Sequence, residues 1–412
     1  MSYFLQLITA ISIILLAAKL AGYFSTRIGQ PSVFGELLVG VLLGPSLLNL
    51  INLPFINNSH ISEMITELGE LGVMLLMFLA GLELHLRDLA KNTRVAALAG
   101  VFGVVVPVGL GALFGELLGM DFTHSMFLGL TLGATSVSIS AQVLIELKLI
   151  RSRVGLSLLG AAIFDDVLVI LLLSSFVAFL SSSGGTSSII VVFGKMLLFF
   201  GLSVGFGLWV LPRITKFVHK LPVSQGVTTM AIVVLLFYGL AAELVGGMAA
   251  ITGAFLAGLM FGRTPEKSLI EGNLHSISYA FFVPIFFISI GLSVDLHSVN
   301  LTSLWIIAAI SAIAVVGKVV GSGVGALMAK LNFTEALQLG IGMISRGEVG
   351  LIIAKIGLDE GYLSGELFSS IIAMILITTV ITPPLLRWSF TQNKKKKTEV
   401  DEAESSMNQE SA

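Results

Sequence analysis

Apolar stretches of about twenty residues recur down nearly the whole chain, each long enough to cross a bilayer as helix. That recurrence makes lipid the solvent and makes α-helix the element every stretch must adopt. Composition agrees: 55% of residues are apolar and 12% charged, with a mean hydropathy of +0.99, where an ordinary soluble domain carries about 25% charged residues. A cytosolic globular protein is excluded. With 23 Lys and Arg against 25 Asp and Glu, the net charge of -2 leaves no basic domain for nucleic acid. The chain contains no cysteine, which removes disulfides, zinc-thiolate sites and catalytic thiols.

Apolar windows between polar breaks predict thirteen spans, near 4–24, 32–46, 68–85, 95–117, 124–146, 154–181, 189–211, 225–244, 247–262, 277–295, 301–329, 334–357 and 364–388. The first is not a signal peptide, because Met1 to Gln6 carries no basic residue and Lys19 follows the apolar run. Eighteen of the 23 cations lie in the loops after odd-numbered spans or at the C-terminus, and the other six loops hold none. By the positive-inside rule this predicts an outside N-terminus and a cytoplasmic C-terminus, in a cell membrane. Residues 391–412, rich in Lys, Glu and Ser, read as a short disordered tail.

The chain also repeats itself. Gly35-Glu-Leu-Leu-Val-Gly-Val-Leu-Leu-Gly44 in span 2 aligns without a gap on Gly253-Ala-Phe-Leu-Ala-Gly-Leu-Met-Phe-Gly262 in span 9, all three glycines coinciding. Gly81, Leu82 and Leu86 in span 3 match Gly291, Leu292 and Leu296 in span 10, and Gly133 and Ser136 in span 5 match Gly342 and Ser345 in span 12. Matching spans are seven apart, an odd number, so the second copy enters the membrane upside down. Inverted repeats of this kind belong to secondary transporters, whose site lies near the midplane between the copies.

Charge in mid-membrane marks the candidate site. Asp165 and Asp166 sit near the middle of span 6, where each ionised group costs at least about 2.5 kcal/mol on insertion scales. Neighbouring positions differ by about 100° around a helix, so the two carboxylates look in different directions. Lys318, in the middle of span 11, is their best counter-ion. Lys19, Lys195 and Lys355 lie nearer span ends, where snorkelling to the interface suffices. Glu36, Glu83 and Glu243 also lie towards span ends and read as solvated or structural.

Spans 5 and 12 are the interrupted ones. Thr135, Ser136, Ser138 and Ser140 crowd hydroxyls into one membrane centre, and Gly347 and Gly350 surround Arg346 and Glu348 in the other. Broken helices need protein or a wet cavity over their freed backbone groups, and Arg346 and Glu348 are placed either to offset the half-helix dipoles or to hold the fold as a salt-bridge network. Gly201-Leu-Ser-Val-Gly205 matches a nucleophile elbow, but inside an apolar helix it lacks the strand and turn that motif requires.

With these residues in view, the sequence resembles the second family of monovalent cation:proton antiporters, the bacterial sodium/proton antiporters and their potassium-efflux relatives. The resemblance spans roughly residues 4 to 390. It is carried by Ala134-Thr-Ser-Val-Ser138, Phe164-Asp-Asp166, Phe287-Ile-Ser-Ile-Gly-Leu-Ser-Val-Asp-Leu296, Gly317-Lys318 and Ser345-Arg-Gly-Glu348. It implies an all-α polytopic membrane protein with an inverted repeat and two crossed discontinuous helices. Asp166 would be the cation and proton carrier, Asp165 a further cation ligand and the partner of Lys318. Thr135, Ser136, Ser138, Ser345, Arg346 and Glu348 would form the crossed break. The resemblance implies a homodimer in membrane lipid, with no cofactor beyond the transported ions. Panel helices would occupy 1–92 and 225–298, core helices 93–183 and 299–390, with 184–224 as linker. The core would slide against the panel as an elevator, exchanging Na+ for protons electrogenically. No nucleotide-binding domain is expected after residue 390, which favours the stand-alone sodium antiporters over the potassium-efflux branch.

A carboxylate neutralised by a proton or a small cation, but hardly by both together, suffices for antiport without ATP. The remaining alternatives are a potassium/proton antiporter or K+ efflux protein, a channel or organic-anion symporter on the same fold, and an intramembrane aspartyl protease. The protease needs its two carboxylates on different helices to serve as acid and base, an arrangement adjacent aspartates do not suit.

Overall fold

The computed structural model describes residues 2–45, 47–53, 56, 59–84, 91–180, 186–292 and 304–410; within these, the side chains of Asn52, Ser59, Ser174, Glu348, Ile352, Lys355, Asp359 and residues 177–180, 186–189 and 392–410 lie outside the described set. The described residues form helices and connecting turns: α1 (Tyr3–Arg27), α2 (Ser32–Leu43), α3 (Ser59–Glu83), α4 (Thr93–Leu117), α5 (Phe122–Gly133), α6 (Val137–Glu146), α7 (Arg153–Leu180), α8 (Thr186–Gly205), α9 (Leu211–His219), α10 (Gly226–Ala241), α11 (Ala250–Phe261), α12 (Lys267–Ile277), α13 (Val283–Leu292), α14 (Leu304–Met328), α15 (Phe333–Gly342), α16 (Glu348–Asp359) and α17 (Gly365–Glu410). Single π turns join α8 to α9 and α12 to α13, and a third extends α10 to Gly246.

Among the described residues ten helical segments are long and apolar enough to cross a membrane. They take up ten of the expected spans. Of the other three, α2 and α11 are shorter apolar helices and span 12 is the pair α15 and α16. Hydropathy alone misplaces two beginnings. The third span starts at Ser59 and the tenth at Lys267, each about two turns or more before its apolar window. Both extensions are amphipathic: Ile61 and Ile65 are buried while His60 is exposed, and Ile270 and Leu274 are buried within a polar stretch. A window average cannot see such a stripe. The last helix runs on to Glu410 where a disordered tail is expected, through Lys- and Glu-rich residues of high helix propensity.

The repeat explains how the helices pack. α2 lies against α13, and α11 lies against α3. In repeat terms span 2 meets span 10 and its counterpart, span 9, meets span 3, so each copy completes the other. The shared glycines make these approaches possible. A Cβ on Gly40 would stand 2.6 Å from the Ile288 carbonyl oxygen, and one on Gly44 would stand 2.8 Å from that of Gly291. Gly258 likewise meets the Phe78 backbone. A second group forms around α4 and α14, with α5 and α7 on α4, and α15 and α17 on α14. α7, bearing the two aspartates, is thereby held in the second group with its middle facing the first.

Candidate functional site

The site begins where two helices stop. α5 ends at Gly133 and α6 begins at Val137; α15 ends at Gly342 and α16 begins at Glu348. Ala134 and Ser136 are extended and Gly347 leaves the helical conformation, so two short non-helical segments of chain cross at the centre of the second group. The crossing is reciprocal: Ser136 N donates to the Ser345 carbonyl (2.9 Å), and the Ser345 hydroxyl donates to the Ser136 carbonyl (2.5 Å). A Cβ on Gly347 would come 2.5 Å from Ser136 Cβ, which is why that position is glycine.

Backbone groups freed by a break inside lipid must find partners within the protein, and here they do. The Ser140 hydroxyl donates to the Gly342 carbonyl (2.5 Å), and Thr379 on α17 donates to the Arg346 carbonyl (2.7 Å). Arg346, fully buried, directs its guanidinium to the carbonyls of Met343 (3.2 Å), Ile344 (3.0 Å) and Ala314 on α14 (3.0 Å). Its charge therefore sits at the C-terminal end of α15, where the helix dipole is negative. The Glu348 side chain lies outside the described residues, and with it the pairing with Arg346 raised by the sequence. The Ser138 hydroxyl lies 3.0 Å from that of Ser136.

The aspartates look in different directions, as their helical spacing requires. Asp165 turns into the second group. Its Oδ2 accepts from Lys318 Nζ at 2.6 Å and from the Thr135 hydroxyl of the broken segment, with Asp165 1% and Lys318 0% exposed. Asp166, 8% exposed, faces the other group. It lines a cavity of about 20 Å³ together with Met77 on α3, Val137 on α6 and Thr252 and Phe255 on α11. The arrangement holds one carboxylate neutralised by a lysine and presents the second to a space large enough for a single water-sized occupant.

Two features escape a sequence reading. Thr252 donates to Asp166 Oδ2 at 3.2 Å; the only signal is its place beside Gly253, at the head of the repeated glycine segment. The second is a polar network between the groups. Ser32, at the start of α2, donates N–H (3.0 Å) and hydroxyl to the Glu146 carboxylate at the end of α6. Gln142 donates to Glu146 (2.9 Å) and accepts from the Tyr279 hydroxyl (2.9 Å). Lys19 donates to the Tyr279 carbonyl (2.7 Å) instead of merely reaching for water, and Glu36, only 6% exposed, lines the same pocket.

The family model described as sodium/hydrogen exchanger, transmembrane, matches residues 13–391. A Bacillus cereus protein named a sodium/proton-potassium antiporter, GerN, is 39% identical over 385 residues, covering 93% of this chain and 96% of that protein. A sodium/proton antiporter of Enterococcus hirae is 33% identical, covering 93% and 98%. The structure of the sodium proton antiporter MjNhaP1 from Methanocaldococcus jannaschii at pH 8 shares the fold, with a TM-score of 0.66 and 17% identity over 94% of this chain and 97% of that one. The chain is thus an integral membrane transporter and no enzyme: it belongs to the sodium/hydrogen exchanger family of monovalent cation:proton antiporters.

Proposed function

We propose that this protein exchanges Na+ for protons across a bacterial cell membrane, with Asp166 as the group that carries either ion. The observation behind this reading is the split of the aspartate pair: Asp165 is committed to Lys318, whereas Asp166 borders a cavity at the seam between the helix groups. A proton and a cation compete for that carboxylate. An unloaded core carries bare charge and crosses the hydrophobic barrier poorly, so reorientation follows loading and exchange is coupled. The movement is of the elevator type. The core comprises residues 93–183 and 299–390, the panel 1–92 and 225–298, and the linker 184–224. A homodimer holds the panel still, with the N-terminus outside and the C-terminus cytoplasmic. Sodium drawing Asp165 away from Lys318 lets the lysine release its proton, which makes exchange electrogenic.

Potassium is the second candidate cargo, since the name of the GerN relative includes it. Proteoliposomes holding a pH dye and challenged with Na+, K+ or Li+ in turn decide both points. An imposed Na+ gradient should drive protons the opposite way, and Asp166→Asn should abolish this while the protein still inserts and folds, because an amide neither titrates nor offers negative charge. Proton movement by the Asn variant at a rate comparable to the unmodified protein removes Asp166 from the role and makes Glu348 the next carboxylate to test.

A further inference from the structure

The seam cavity has a second wall, and one hydroxyl on it has no part in the mechanism above. Buried threonines in these helices bond the carbonyl four residues back, as Thr131, Thr215 and Thr378 do at 2.8, 2.5 and 3.0 Å. Thr252 does not. It stands in the first turn of α11, where no helical turn precedes it, and its hydroxyl points across the seam to Asp166 Oδ2 at 3.2 Å. α11 packs on α3 and α10, and Asp166 rides on α7 in the other group, so the two oxygens belong to bodies that pack separately.

Their spacing carries a size. A cation with the radius of calcium or sodium holds oxygens at about 2.3–2.6 Å, which puts two ligands at right angles about 3.3–3.7 Å apart. Thr252 and Asp166, hydrogen-bonded at 3.2 Å in the free site, need to part only slightly to reach that separation, whereas a larger cation needs its oxygens further apart. The cavity, at about 20 Å³, admits a single water-sized occupant and therefore no ion with its full hydration shell. Its other lining side chains are apolar. An ion entering must leave water behind, and the hydroxyl is the neutral oxygen available on that wall.

We propose that Thr252 is a ligand of the transported cation, contributed by the opposite helix group, and that it favours Na+ over the larger K+. The proposal rests on the reading of Asp166 as the carrier. In the free site the hydroxyl donates to the carboxylate; with the cation present it rotates and offers a lone pair to the ion. Movement of the two groups separates the oxygens, so the preference belongs to the conformation in which they meet.

The test compares the full-length unmodified protein with Thr252→Val, which keeps the shape and removes the hydroxyl, and Thr252→Ser, which keeps the hydroxyl. Calorimetric Na+ and K+ binding to purified protein is measured beside exchange in proteoliposomes. The Val variant should bind Na+ about tenfold more weakly, the loss of roughly one contact to a charged group, with K+ affected less, so that selectivity falls. The Ser variant should return Na+ binding to near the unmodified value. Unchanged Na+ affinity in Thr252→Val, or a Ser variant as weak as Val, overturns the assignment. Thr252→Ala makes the same comparison if the Val variant does not fold. Unmodified protein that binds Na+ yet moves no protons sinks the antiport reading while the binding series still decides Thr252; protein that binds no Na+ overturns the ligand itself.

Discussion

At the scale of single residues, the buried ion pair was legible and the hydroxyl beside Asp166 was not, for one physical reason. A charge in lipid is costly, so Asp165 and Lys318 announce each other from the sequence, and they stand 2.6 Å apart. A threonine in an apolar helix has a satisfied alternative in its own backbone, and in the letters only its place beside Gly253 sets Thr252 apart from Thr215. The pair invites a measurement. Lys318→Ala leaves Asp165 buried without its counter-ion, and breaking such a pair costs about 3–5 kcal/mol. The double variant Asp165→Asn with Lys318→Gln should therefore melt at a higher temperature than Lys318→Ala alone. Additive losses around the double-mutant cycle would show that the two side chains do not act together.

At the scale of elements, the interrupted helices were foreseen from their glycines and hydroxyls, whereas the amphipathic beginnings of α3 and α12 were hidden because half of their residues are polar. The contact between α2 and α6 was also hidden, since no pattern in one helix tells which carboxylate will reach its first turn. Glu146 accepts from the N–H and hydroxyl of Ser32 there, where a helix dipole favours negative charge. With no native cysteine in the chain, Ser32→Cys with Glu146→Cys allows these two helices to be joined by oxidation. Joined protein should lose exchange and recover it on reduction; full exchange by the oxidised form would mean that the two groups do not slide. A second element-level expectation concerns α5, capped by Asp121, which accepts from the His124 N–H. That backbone bond, with the His124 side-chain bond, holds the Asp121 carboxyl below its usual range. Because the folded value is lowered, the cap contributes fully above the ordinary carboxylate range and is lost as pH falls through the lowered value. Thermal stability of Asp121→Ala should therefore lag the unmodified protein near neutral pH, and the gap should narrow under acid.

At the scale of the whole molecule, the sequence yields the class of fold because lipid permits so few solutions. The order of the helices in space was less legible, as the inverted repeat relates positions without saying which neighbours touch. Charge bias sets the expected orientation and can be checked on the cysteine-free chain. Ser152→Cys, between α6 and α7, should react with a membrane-impermeant thiol reagent only from inside, and Glu360→Cys, after α16, only from outside. The corresponding loop positions Asn58 and Ser183 lie outside the described residues and serve as further outside markers. Labelling of position 152 from outside would reverse the assigned topology. The exchange of partners between the repeats, α2 on α13 and α11 on α3, also bears on how the protein is made. Helices leave the ribosome in order, and α2 and α3 enter the bilayer with their closest glycine-lined faces uncovered until the second half of the chain has been synthesised. The first repeat thus waits in the membrane as an open form, and the cavity beside Asp166 gains its second wall only when α11 arrives from the second half of the chain.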